Sequence, residues 1–333
     1  MTMRNKATSG IPVTAGNPES ELRLGISACL LGEQVRYDGG HKRDDFIVGT
    51  LGRFVQFVPV CPEVELGLAT PRETIQLLRR DGTVRLVGTK SDADHTVAMK
   101  RFARRRIAEF AKLGLAGFIV KKNSPSCGML RVKVHGPGSS AQKSGRGLFT
   151  AALMETMPLL PVEEEERLHD LRLRENFVER IFAYRRLRDL FGVRWKRGDL
   201  VRFHIAEKLL LLAHQPAAYT ELGQLVAHVK DHPRKELAAT YQQKFMDALA
   251  RQASTGRHVN ALKHMAGYLK KQLSEAEKQE VQATIEDFRY GLIPLIVPLT
   301  LLRHYVRIHE IAYLLGQAYI DPHPKELMLR NHV

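Results

Sequence analysis

The chain has 333 residues, 44% of them apolar, and a formal net charge of +15. That is length for two domains and apolar content for packed cores, while no apolar run reaches the roughly 18 residues of a membrane span. The charge is spread over both halves, +10 in residues 1–160 and +5 in the remainder, and charge of this sign attracts polyanions, nucleic acid first. A solvated basic surface is the plainer reading of the same numbers.

Residues 1–21 lack the apolar core of a signal peptide, are rich in Ser, Thr, Gly and Pro, and read as a disordered lead. The compartment expected from this is the reducing cytoplasm, where three cysteines do not rest as a disulfide plus an orphan. From residue 22 to 158, short apolar runs alternate with helical stretches, as in a parallel-sheet α/β domain. Strands are predicted at residues 24–28, 55–60 and 117–120, and each leads toward one of the three cysteines, Cys29, Cys61 and Cys127. A loop bent at Gly39-Gly40 follows Cys29, with a helix near residues 44–54. A hairpin is predicted over 73–78 and 83–87, turned at Asp81-Gly82.

The spacing predicts a helix over 94–113, with Val97, Phe102, Ile107, Phe110 and Leu113 available to its apolar side. Lys100, Arg101, Arg104 and Arg105 fall on the opposite face. Residues 136–146 read as flexible, and order resumes at 147–152. Pro158, Pro161 and the four glutamates at 163–166 mark a boundary. Beyond it, seven stretches of helical periodicity predict an all-α domain over residues 166–325.

The ends of parallel strands are where open α/β sheets keep their sites. Three thiols meeting there have several uses. A structural zinc site takes four ligands at close spacing, which is absent here, and a Cys–His nucleophile needs only one thiol. An iron–sulfur cluster on three thiolates leaves one iron open to substrate, and soft metals prefer sulfur. Simple burial of unliganded thiols remains the alternative. The fourteen histidines show no compact metal spacing.

The segments Cys29-Leu30-Leu31-Gly32, Val35-Arg36-Tyr37-Asp38-Gly39-Gly40, Cys61-Pro62-Glu63 and Ser124-Pro125-Ser126-Cys127-Gly128 occur in this order. Together, over residues 22–155, they resemble the thiouracil desulfidase family. That resemblance implies a [4Fe–4S] cluster on Cys29, Cys61 and Cys127 with one open iron, and removal of sulfur from a thiolated pyrimidine without net redox change. It also implies Glu63 and Ser124 as catalytic residues, Glu63 being the general base. Read alone, Glu63 serves equally as a partner of Arg36 or a helix cap, and Ser124 as an ordinary turn residue. Arg36, Asp38 and Ser126 are candidates to line the substrate loop.

Residues 175–320 are similar to the YbgA-like domain, a family without assigned chemistry. Such a fusion implies a substrate larger than a free base, and 4-thiouridine in tRNA fits the basic charge. The basic candidates for RNA contact are Lys100, Arg101, Arg104 and Arg105 in the α/β half, with Arg194, Lys196 and Arg197 around Trp195 in the helical half. Two other expectations stand beside this one. The substrate is a free thiouracil or thiolated nucleotide and the helices form a homodimer, or the protein is a non-catalytic iron–sulfur sensor that binds nucleic acid.

Overall fold

In the computed structural model, residues 22–136, 139–192 and 194–332 are described, so the expected N-terminal lead lies outside the described residues. The strands are β1 (Arg23–Ser27), β2 (Gln56–Val60), β3 (Ile75–Arg80), β4 (Thr83–Gly88), β5 (Gly117–Val120), β6 (Val132–Gly136), β7 (Ser139–Gly145) and β8 (Val162–Glu164). The first sheet, in the order β2-β1-β5-β8, is parallel throughout; the second, β4-β3-β6-β7, is mixed. The helices are α1 (Pro62–Glu65), α2 (Thr96–Leu113), α3 (Leu148–Thr156), α4 (Leu171–Phe191), α5 (Arg197–His214), α6 (Pro216–Ala227), α7 (Arg234–Leu249), α8 (Thr255–Leu269), α9 (Glu275–Arg289), α10 (Ile296–Ile308) and the short α11 (Ala312–Leu315). An α/β parallel-sheet half is thus followed by an all-α half.

The central strands β1 and β5 are apolar on both faces because both faces are covered, as parallel sheets require. Phe118 and Val120 of β5 point to one side, where Phe102, Ile107 and Phe110 of α2 and Phe149 of α3 close a core. Phe110, Phe118 and Phe149 sit 5.6–6.4 Å apart, centroid to centroid. Ile119 points the other way, with Leu24 and Ile26 of β1, onto Phe177, Val178 and Ile181 of α4. Further along α4, Ala183 and Leu187 enter the core of the helical half. One helix therefore belongs to both cores.

Three local expectations change. The helix near 44–54 is a π turn at Phe46–Thr50 and a 3₁₀ turn at Leu51–Arg53, in a segment where Gly49 and Gly52 weaken α propensity. Val97 is 70% exposed, because Thr96 turns inward and its hydroxyl accepts the Leu86 N–H at 2.8 Å; Leu113 is exposed too, and Met99 and Ala103 fill the buried face instead. The stretch read as flexible contains β7, which pairs with β6 through backbone bonds that its Ser-, Gln- and Lys-bearing sequence does not announce. The glutamates at the expected boundary carry structure of their own. Glu163 and Glu164 lie in β8, and with Glu165 they are buried.

A buried polar network holds α4 to the C-terminal segment. Arg330 donates to Glu175 at 3.2 Å, to Glu179 at 2.6 Å and to the Tyr319 carbonyl at 2.6 Å, while His214 joins Glu179 at 3.0 Å. Burial and the neighbouring Glu179 charge raise Glu175 to about 8, whereas Arg330 and His214 hold Glu179 below the usual carboxylate range. Burial also lowers His204 to about 4 and His258 to about 3, with His323 and His332 shifted the same way.

These shifts sign the pH dependence of stability. Between about pH 4.5 and 6.5 the unfolded chain binds more protons, through these histidines, than the fold keeps on Glu175, so stability rises with pH. Above about pH 7, once the unfolded histidines have lost their protons, the Glu175 proton dominates the difference and stability falls as pH climbs toward 8, with the raised cysteine thiols continuing the fall beyond it. Thermal unfolding should therefore show a maximum melting temperature near neutrality, and Glu175→Gln should flatten the decline between about pH 7 and 8. An unchanged slope over that range in the variant would refute the assignment.

Candidate active site

The three cysteines follow three neighbouring strands. Cys29 lies in the 3₁₀ turn after β1, Cys61 directly after β2, and Cys127 in the loop after β5, and the sheet order β2-β1-β5 brings these strand ends side by side. Adjacent strands are about 4.8 Å apart, so three consecutive strand ends span about 10 Å. All three thiols are unpaired. Burial pushes the Cys29 thiol up to about 12, with the nearby Cys61 adding to it; burial likewise raises Cys61 and, beside Glu63, Cys127. Cys61 is thus the electrostatic neighbour of Cys29 and Cys127.

No three His, Cys, Asp or Glu side chains among the described residues are arranged around the position of a single ion. An iron–sulfur cluster asks for something else, since each thiolate binds a different iron and the sulfurs stand apart. Three thiols on three adjacent strand ends, with no fourth cysteine in the chain, fit a cluster that has one open iron.

The Cys127 loop is gripped from two sides. The N-terminus of α3 docks on it: Leu148 donates to the Pro125 carbonyl at 3.1 Å, Phe149 to Ser126 at 3.0 Å, and Thr150 Oγ1 to Cys127 at 2.5 Å. Gly147 permits this approach, because a Cβ there would lie 2.5 Å from the Ser126 backbone. From the other side, Glu164 accepts the Met129 and Leu130 N–H groups at 2.8 and 3.1 Å. Glu165 accepts the Lys122 N–H at 2.8 Å and pairs with the Lys121 ammonium. The acidic run is the loop's clamp.

Glu63 is the second residue of α1, which Cys61 immediately precedes, and its two carboxylate oxygens have separate partners. Arg72 donates to Oε2 through Nη2 at 2.7 Å and Nε at 3.1 Å. Ser126 Oγ donates to Oε1 at 2.6 Å. Ser126 has a single proton and it is committed there, so in the 2.9 Å contact between Ser124 Oγ and Ser126 Oγ the donor is Ser124. The N–H groups of Ser126 and Cys127 point at Ser124 Oγ from 3.3 and 3.1 Å and fix its position. A continuous chain runs Ser124, Ser126, Glu63, Arg72.

Ser126, expected to line the substrate loop, is fully buried and acts as the link between Ser124 and Glu63. Arg36 is not the partner of Glu63. It lies 3.4 Å from Asp38 and stacks near Tyr37, while Arg72, which the sequence reading passed over, takes Glu63. Arg72 also donates to the Val35 carbonyl at 3.0 Å, and its N–H to Tyr37 at 2.9 Å, so one residue ties the loop bearing Arg36 to the carboxylate. Asp38 accepts the Gly40 N–H at 3.0 Å, which holds its carboxyl below the usual range and makes it a turn residue.

Lys100, Arg101, Arg104 and Arg105 are exposed along α2 and form no ion pair among the described residues. Arg194 and Lys196 are exposed beside the buried Trp195. Arg197 differs, since its guanidinium donates to the Val229 carbonyl at 2.6 Å and the His232 carbonyl at 2.8 Å. It locks a loop and has little left for a partner. No helix among the described residues is long and apolar enough to cross a membrane.

Comparison with known proteins finds two family matches along the chain. A family model described as 2-thiouracil desulfurase matches residues 24–165, and one described as a protein of unknown function, DUF1722, matches residues 208–324. The uncharacterized protein YbgA of Escherichia coli K12 is 32% identical over 161 residues, which is 48% of this chain and 95% of that protein. The uncharacterized protein YbbK of Bacillus subtilis 168 is 31% identical over 152 residues, 44% of this chain and 97% of that protein. A solved structure described as the [4Fe-4S]-dependent thiouracil desulfidase TudS is 32% identical, covering 46% of this chain and 98% of its own, with a TM-score of 0.39. The α/β half of the chain thus belongs to the 2-thiouracil desulfurase family, and a YbgA-like helical half follows it.

Proposed function

We propose that the protein is a [4Fe–4S]-dependent desulfidase that hydrolyses the C=S group of 4-thiouridine in tRNA to C=O and releases hydrosulfide. The observation that carries the enzymatic reading is the Ser124–Ser126–Glu63 hydrogen-bond chain beside the three thiols, which a non-catalytic sensor does not need. Cys29, Cys61 and Cys127 would hold the cluster. Bound there, it would supply a soft Lewis acid for a thiocarbonyl sulfur.

The remaining steps belong to this chain's residues. A water attacking the ring carbon gives up a proton, directly to Glu63 or to Ser124 Oγ as Ser124 passes its own proton through Ser126 to Oε1 of Glu63. Arg72 keeps the carboxylate oriented by occupying Oε2. As the tetrahedral carbon collapses, the same chain returns the proton and hydrosulfide departs. Water supplies the oxygen, and no electron donor takes part.

RNA as the form of the substrate is supported by the net charge of +15 and the unpaired cations along α2. Each phosphate contact releases counterions on binding, so the preference for tRNA must fade with salt. Cluster-loaded protein should desulfurate native tRNA with a higher kcat/KM than 4-thio-UMP at low salt, and added salt should erode that advantage steeply. Equal efficiencies that do not respond to salt would move the substrate to the free nucleotide.

A further inference from the structure

On the helical half, the chain between α4 and α5 meets the start of α7 in a broad depression of about 530 Å³, bordered by Phe191, Trp195, Arg234, Lys235, Ala239 and Gln242. Trp195 is the chain's single tryptophan and only 9% exposed. Phe191 meets it edge-on at 5.0 Å, and the Arg234 guanidinium lies 4.8 Å from the indole centroid. Arg234 also donates through Nη2 to the Trp195 carbonyl. The planar guanidinium is therefore held over the indole by this bond, at the border of the depression. Arg197, bonded to the Val229 and His232 carbonyls, steadies the segment just before Arg234.

A cation stapled onto a tryptophan can serve packing alone. Here three further features surround the guanidinium. Lys235 is exposed beside it. Gln242 donates its amide to the Ala238 carbonyl at 3.1 Å and so keeps its own carbonyl oxygen as an acceptor. Ala239 leaves the floor open. A planar cation for stacking, a second cation for a phosphate and an amide oxygen for a ring N–H form a complementary set for one unstacked nucleotide.

We infer that this depression holds a single unpaired nucleotide of an RNA strand, its base stacked on Arg234 and its flanking phosphate at Lys235. The inference rests on the reading of RNA as substrate and names a second contact point, on the helical half. A base paired within a duplex offers no free face to the guanidinium, so the strand must be a loop or an end.

Trp195 reports directly on its own site. The full chain should be titrated with hexauridylate, UMP, uridine and inorganic phosphate while tryptophan emission is followed. Hexauridylate should change the emission saturably. Lys235→Glu and Ala239→Glu, both at exposed positions, should each weaken that binding by about tenfold, or about 1.4 kcal/mol. Arg234→Ala should abolish it. No emission change, or an affinity in both charge variants equal to that of the unaltered protein, would overturn the inference. So would phosphate or UMP binding as tightly as hexauridylate, because the site would then take an anion or a free nucleotide. If hexauridylate binds here while native tRNA is not desulfurated, the substrate reading fails and this site stands; the converse result removes the site alone.

Discussion

Glu63→Gln should lower turnover by roughly 10²–10⁴-fold, the usual loss for a missing proton-transfer group, while the cysteine site is retained. The amide preserves the shape of the side chain, and its oxygen can still accept from Arg72, but it cannot take a proton from water or from the serine chain. Ser124→Ala breaks the same chain at its outer end and should lose rate in the same range. Ser126→Ala tests the link itself. Ser126 is fully buried, so a loss of turnover there without a change in substrate affinity points to proton passage through it. The competing view makes Glu63 only the partner of Arg72, whose side chain is just 7% exposed. Breaking such a pair destabilises the fold, so melting temperature must be measured beside turnover. Near-normal turnover in Glu63→Gln would assign Glu63 a structural role and leave another group to activate water.

The sequence made the strands and the cysteines legible because each is a local signal. A short apolar run leading toward Cys29, Cys61 or Cys127 marks both the strand and the ligand candidate. The turn at Asp81-Gly82 was equally plain, and both residues adopt the positive φ that such a hairpin needs. What could not be read was whatever depends on a partner supplied by the fold. Arg36 is nearer than Arg72 to the first cysteine motif, yet the turn after α1 carries Arg72 to Glu63. The glutamates at 163–165 read in sequence only as part of a boundary. Their burial follows from β8 pairing with β5, which sets Glu164 and Glu165 against the N–H groups of the Cys127 loop. Gly147 carried a weak signal, a glycine at the start of a helix, whose meaning appears only when the Ser126 backbone is seen against it. Arg197 shows the reverse error, a cation in a basic cluster whose charge is spent on carbonyls.

Cys29→Ala, Cys61→Ala and Cys127→Ala should each remove iron and activity together, the largest effect expected of any single change. Anaerobically purified or reconstituted protein should be brown and carry about four irons per chain. Because there is no fourth cysteine, no spare thiolate can take over a vacated position. Alanine is a mild replacement here. All three sites lie at strand ends, and the backbone bonds that hold the Cys127 loop, from Phe149 to Ser126 and from Gly147 to Gly128, do not involve the thiol. The variants should therefore fold, with melting temperatures near that of the iron-free parent, and yet remain colourless. That pairing separates a lost ligand from a lost fold. It also separates ligands from acid–base groups, since Glu63→Gln should stay brown. A colourless, iron-free protein with full activity would refute the cluster. Cys127→Ala that keeps its colour and its activity would remove Cys127 from the ligand set and leave the three-thiolate arrangement untenable.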